Sequence, residues 1–233
     1  MQRQYRDYGD SRNKGFCVHC GGAYETDDHN PSKAFLDEPL PPNLPLAQSC
    51  LACNSGFSAD EEYVSCLVDC AIAGTADPEA VRRDKVRRAL SNNRRLRNDL
   101  QAARSDIDGR IEWQADMARV NRIVVKMARG LTAFELNEPQ LDPPDRIDVR
   151  PFALLRPEAR EAFERGGGSE EFAPWPEVGS RALNRLITGK DDEYVDGWLI
   201  VQPGRFRYRT DQDDGVTVRM DIGDYLACTV AWA

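Results

Sequence analysis

With 233 residues, of which 41% are hydrophobic and 30% charged, the chain has material for a packed core, while a formal net charge of −8 argues against broad, tight coating of nucleic acid. The acid is unevenly placed: residues 140–233 hold 12 Lys and Arg against 18 Asp and Glu, and residues 1–139 hold 19 against 21. No stretch approaches the roughly 18 apolar residues of a membrane span, and Met1-Gln2-Arg3-Gln4 lacks the apolar run of a signal peptide, so a soluble, cytoplasmic protein with no membrane partner is expected.

Two Cys-x-x-Cys pairs, Cys17/Cys20 and Cys50/Cys53, come first along the chain. Each pair can present two thiolates to one ion, and four thiolates complete a tetrahedral structural Zn²⁺ site. A redox reading needs a single pair opening a helix beside a strand, and a disulfide reading needs an oxidising compartment. Neither context is visible. His19, inside the first pair, reads as a solvated knuckle side chain, since four thiolates already complete the site. The insert between the pairs must hold structure of its own. Gly21-Gly22 turns the chain, residues 23–29 run as a short strand, and Pro31, Pro39, Pro41, Pro42 and Pro45 exclude regular structure as far as Leu46. From Cys50 the pattern becomes helical.

A strand ending in Asp28-His29, a long loop with Asn43-Leu44, and Cys-x-x-Cys-Asn entering a helix at Asn54 give residues 14–70 an order that resembles the HNH endonucleases of the ββα-metal superfamily. Residues 29–33, 50–54 and 57–63 are also similar to a bacterial subgroup of HNH proteins of this length. The resemblance implies an enzyme that hydrolyses DNA phosphodiester bonds and leaves 5′-phosphate and 3′-hydroxyl ends. Such chemistry needs an attacking water, a base, and positive charge where oxygens become more negative. His29 is the expected base, because an ordinary imidazole is largely neutral at cytoplasmic pH. Asp28 offers a carboxylate oxygen to Mg²⁺ or Mn²⁺, the family pattern makes Asn54 the second ligand, and Asn43 would orient His29. Glu61, seven residues beyond Asn54 on a continuous helix, would lie about 10 Å along the axis and outside the shell of ligands.

Blander readings stand beside these. An Asp-His pair is commonly a turn and a surface histidine, and Asn43 and Asn54 could be a loop residue and a helix N-cap. Cys66 and Cys70, four apart on the continuing helix, read as buried small hydrophobes, as does Cys228. The alternative to a nuclease is a non-catalytic, zinc-stabilised nucleic-acid-binding or adaptor module, and RNA is a lesser alternative to DNA. A concerted double-strand cut needs two sites, which would suit a homodimer, and the acidic total suits cutting assisted by a protein partner. A phage-defence or mobile-element role follows from family association alone.

Further on, Gly74 to Pro78 ends one helix and starts the next, with Asp77 as N-cap. Residues 78–104 read as one helix carrying Arg82, Arg83, Lys85, Arg87, Arg88, Arg94, Arg95 and Arg97, for which phosphate contact and a solvated face stand level. Trp113, Met117, Val120, Val124, Met127 and Leu131 form an apolar stripe at helical spacing. Pro139, Pro143 and Pro144 end the helical region, and residues 165–169 mark a flexible glycine-rich loop. Residues 198–202, 205–210, 216–222 and 225–231 read as an antiparallel meander, with Arg205, Arg207 and Arg209 on one face and Phe206 and Tyr208 on the other; the arginines fit DNA contact or ordinary amphipathic alternation. The expected fold is therefore α+β: a zinc-stapled ββα-metal (HNH) module over residues 1–74, then helices and the β-meander over residues 75–233.

Overall fold

The computed structural model describes residues 6–42, 44–166, 175–189, 194–213 and 215–233. Asn43 and most of the glycine-rich loop lie outside them. Strand β1 (Thr26–His29) pairs antiparallel with β2 (Leu46–Ser49), and helices α1 (Leu51–Gly56) and α2 (Ser58–Ala73) follow directly. The first part of the expected strand is instead an isolated bridge between Phe16 and Ala23. Gly74, at φ 71°, ends α2 in the left-handed conformation that glycine adopts without a Cβ penalty.

The single helix expected over residues 78–104 is divided. Asp77 caps a 3₁₀ turn (Pro78–Ala80), and α3 (Asp84–Asn92) and α4 (Arg94–Ala103) meet at Asn93, whose side chain accepts the Leu96 N–H and restarts the helix. Arg83 is drawn inward. Its guanidinium meets Asp37 at 2.6 Å and Asp69 at 2.9 Å and donates to the carbonyls of Ala34 and Leu36, so this member of the basic run is a tie within the core.

A hairpin, β3 (Arg104–Ile107) and β4 (Arg110–Trp113), turns at Asp108-Gly109, both at positive φ. Helix α5 (Met117–Leu136) starts at Asp116, which accepts the N–H groups of Ala118 and Arg119. Of the expected stripe, Val120, Val124, Met127 and Leu131 are buried, Met117 is exposed, and Trp113 belongs to β4. Strand β5 (Arg146–Pro151) and helices α6 (Pro157–Arg165) and α7 (Arg181–Thr188) precede the meander of β6 (Tyr194–Val195), β7 (Trp198–Gln202), β8 (Phe206–Asp213), β9 (Gly215–Ile222) and β10 (Leu226–Trp232). The sheet is antiparallel, in the order β5-β10-β9-β8-β7-β6.

Helix α5 packs against both α2 and the sheet, and the main core joins Phe35, Val64, Leu90, Met127, Val218 and Trp232. Phe152, Phe163, Trp198 and Ala227 form a second, smaller cluster. The alternation expected of β8 holds, with Phe206 and Tyr208 buried. The arginines opposite them are engaged: Arg205 with Asp69, Arg207 with Asp221 and Glu164, and Arg209 with Asp211. Cys66, Cys70 and Cys228 are buried, and burial pushes the Cys70 thiol up to about 12. Among the described residues no helix is long and apolar enough to cross a membrane.

Candidate functional site

The cysteine pairs converge. One ligand atom from each of Cys17, Cys20, Cys50 and Cys53 lies within 4.8 Å of the others, and Cys20 Sγ is 3.8 Å from Cys50 Sγ. Sulfurs around tetrahedral zinc, at Zn–S near 2.3 Å, are about 3.8 Å apart, so this group could hold a metal such as zinc. The knuckle forms because Gly21, at φ 73°, lets its N–H return to the Cys17 carbonyl at 2.8 Å. At the other pair, Cys50 is the N-cap of α1 and its sulfur accepts the Cys53 N–H at 3.3 Å. Asn54 therefore sits in the body of α1 and is not the cap. Burial opposes ionisation of Cys17, yet N–H donors from Cys50, His19 and Cys20 bring its thiol down to about 7. Burial and the neighbouring sulfurs push Cys53 far up. Four thiols this close resist full ionisation without a cation among them.

Strand β1 places Asp28 opposite Ala47 and His29 opposite Leu46. Neighbouring side chains of a strand take opposite faces. Asp28 is buried, and His29, the last residue of the strand, is half-buried. Burial, then the Lys33 ammonium, hold the His29 imidazole below its usual range.

Sequence reasoning missed what surrounds Asp28. Lys126 of α5 puts its Nζ 2.7 Å from Asp28 Oδ2 and 2.6 Å from Glu61 Oε1, with its side chain only 1% exposed. Ser32 donates to the other Glu61 oxygen at 2.9 Å. His19 is buried rather than solvated: its ring packs edge-on against Phe57, Nε2 is 3.5 Å from Asp28 Oδ2, and Nδ1 makes no hydrogen bond. Burial opposes ionisation of Asp28, but His19 and Lys126 outweigh it and hold the carboxyl below its ordinary value.

Glu61 stands in the first turn of α2, and the helix is interrupted at Phe57, between it and Asn54. Helix α5 reaches it because Gly130 admits Asn30: a Cβ there would come within 2.3 Å of Asn30 Nδ2, which donates to the Met127 carbonyl. Lys126 did leave a signal, as the one charge in the apolar run from Ile123 to Ala128. A cleft of about 500 Å³ beside β1 and β2 is lined by Lys14, Asp27, Leu46, Gln48, Phe134 and Arg181, and includes neither Asp28 nor His29.

No protein-family model, curated protein or solved structure matches the chain.

Proposed function

We propose that this chain is a metal-dependent endonuclease of the HNH type, acting on DNA, with His29 as the base that takes a proton from the attacking water. The observation that carries the reading is the succession around the cysteine cluster: β1 ending in His29, antiparallel β2, then α1 opening at Cys50. Asp28 and Asn54 would supply hard oxygen ligands for Mg²⁺ or Mn²⁺, whose charge would offset that developing on the phosphate. The depressed His29 pKa favours its neutral, proton-accepting form near pH 7. Residues 1–74 would carry this machinery. DNA contact would fall to the exposed Arg82, Arg88, Arg94 and Arg95 of the α3–α4 region, with a homodimer or protein partner adding grip.

The test is plasmid cleavage by zinc-loaded wild type and His29→Ala, with Mg²⁺ or Mn²⁺ and with EDTA as control. Cleavage by wild type alone supports the reading. The Lys126–Asp28 ion pair favours a second one, in which Asp28 is structural and the chain is a zinc-stabilised binding or adaptor module. DNA binding without cleavage under any divalent condition would select it.

A further inference from the structure

The carboxylates of Asp28 and Glu61 already share a cation, and it belongs to the chain. Lys126 Nζ contacts both, so their oxygens can be no farther apart than those two short contacts laid end to end. Oxygens on opposite sides of one Mg²⁺ or Mn²⁺ are roughly 4 Å apart. A modest inward movement would let a single ion replace the ammonium. Beside them, the His19 side chain is 3% exposed, with Nε2 turned to Asp28 Oδ2 at 3.5 Å and Nδ1 without a hydrogen bond. A buried imidazole left partly unsatisfied next to an ion-paired carboxylate costs free energy, and the ammonium does not relieve it. A divalent ion would.

We propose that Asp28, Glu61 and His19 form a divalent-cation site for which the Lys126 ammonium is the internal competitor. With Lys126 in place, the carboxylates are neutralised and held apart; among the described residues only the four cysteines bring three or more ligand atoms within 4.8 Å of one another. An incoming ion displaces the ammonium, draws the two carboxylates together and takes the imidazole nitrogen as a third ligand. The four-carbon stem of Lys126 can swing Nζ toward the Phe57 ring, whose centroid lies 5.7 Å away and whose face attracts cations. Two carboxylates and one imidazole suit Mn²⁺ better than a purely hard ion. The proposal deepens the nuclease reading, with which it shares Asp28, by adding two ligands and a reason for weak metal binding in the resting protein.

The experiment is a Mn²⁺ titration of the zinc-loaded, full-length protein followed by electron paramagnetic resonance, comparing wild type, Lys126→Gln, Lys126→Met and the double variant Lys126→Gln/Glu61→Gln. The expected result is one Mn²⁺ bound at least tenfold more tightly by Lys126→Gln than by wild type, with the gain lost in the double variant. Lys126→Met leaves the Asp28 and Glu61 carboxylates without the cation they share, so its thermal midpoint should rise with Mn²⁺ more than that of wild type. Unchanged affinity in a folded Lys126→Gln protein overturns the proposal. Failure of both Lys126 variants to fold at saturating Mn²⁺ overturns it too, because an ion able to replace the ammonium would restore the site. Tighter Mn²⁺ binding without plasmid cleavage would leave this site standing and sink the nuclease; cleavage with unchanged Mn²⁺ affinity would do the reverse.

Discussion

Cys20 Sγ and Cys50 Sγ stand 3.8 Å apart although 29 residues separate them in sequence, and this closure brings the start of α1 beside the knuckle that precedes β1. Metal-bound thiolates make such a closure stabilising, by roughly 10 kcal/mol in small zinc peptides. Purified protein is expected to contain one zinc per chain. Cys50→Ser should lose it together with the pairing of β1 and β2, whereas His29→Ala should keep both. Metal analysis and circular dichroism check this, and equal zinc content in the two variants would show that the cysteines do not hold the ion.

Arg83 offers a second test. Removing a buried guanidinium that meets Asp37, Asp69 and two carbonyls leaves acceptors without donors, which typically costs 3–5 kcal/mol. Arg205 remains 3.4 Å from Asp69, so Arg83→Met should fall near the lower end, about 3 kcal/mol. Arg83→Lys should recover little, since an ammonium cannot reproduce the planar fork. Urea unfolding measures the difference, and a loss under about 1 kcal/mol would mean that water replaces these contacts.

Asp221 makes stability depend on pH. Burial raises its carboxyl from 3.8 to about 6 against the pull of Arg207, and Oδ1 has no hydrogen-bond partner. A raised carboxyl means that the folded state favours the protonated form. Its contribution is therefore fully present below the unfolded value near 3.8 and is lost as pH rises through about 6. The shift corresponds to about 3 kcal/mol. Wild type should lose stability relative to Asp221→Asn across this window; a thermal-midpoint difference that stays flat from acid to neutral pH would contradict it.

The exposed arginines of α3 and α4 are tested by salt. If Arg82, Arg88, Arg94 and Arg95 contact phosphates, replacing each by Gln should lower the slope of log affinity against log salt by about 0.9. Replacing Arg207 or Arg209, both ion-paired, should leave the slope unchanged and lower stability instead. Fluorescence anisotropy with duplex DNA at several salt concentrations separates the two groups.

The meander could be read in the sequence because Pro203-Gly204 and Gly223-Asp224 punctuate alternating strands. The cysteine cluster could be read because spacing alone reports it. Strand β5 could not: in Arg-Ile-Asp-Val-Arg-Pro only two residues are apolar, and its partner β10 is far along the chain. The β3–β4 turn did leave a mark in Asp108-Gly109. Around Asp28 the difficulty was geometric. Lys126 and Glu61 arrive from α5 and from beyond the break at Phe57, and periodicity within one segment reports neither a helix interruption nor which helix packs on which hairpin.

Strand β10 lies between β9 and β5, with Leu226 opposite both Ile222 and Pro151. During synthesis β5 therefore leaves the ribosome well before β10, its strand neighbour among the described residues, exists. At 5–20 residues per second, the wait is on the order of ten seconds. Throughout that interval β5 is an open edge, and Arg146, Asp148 and Arg150 along it are the charges that discourage pairing with another nascent chain.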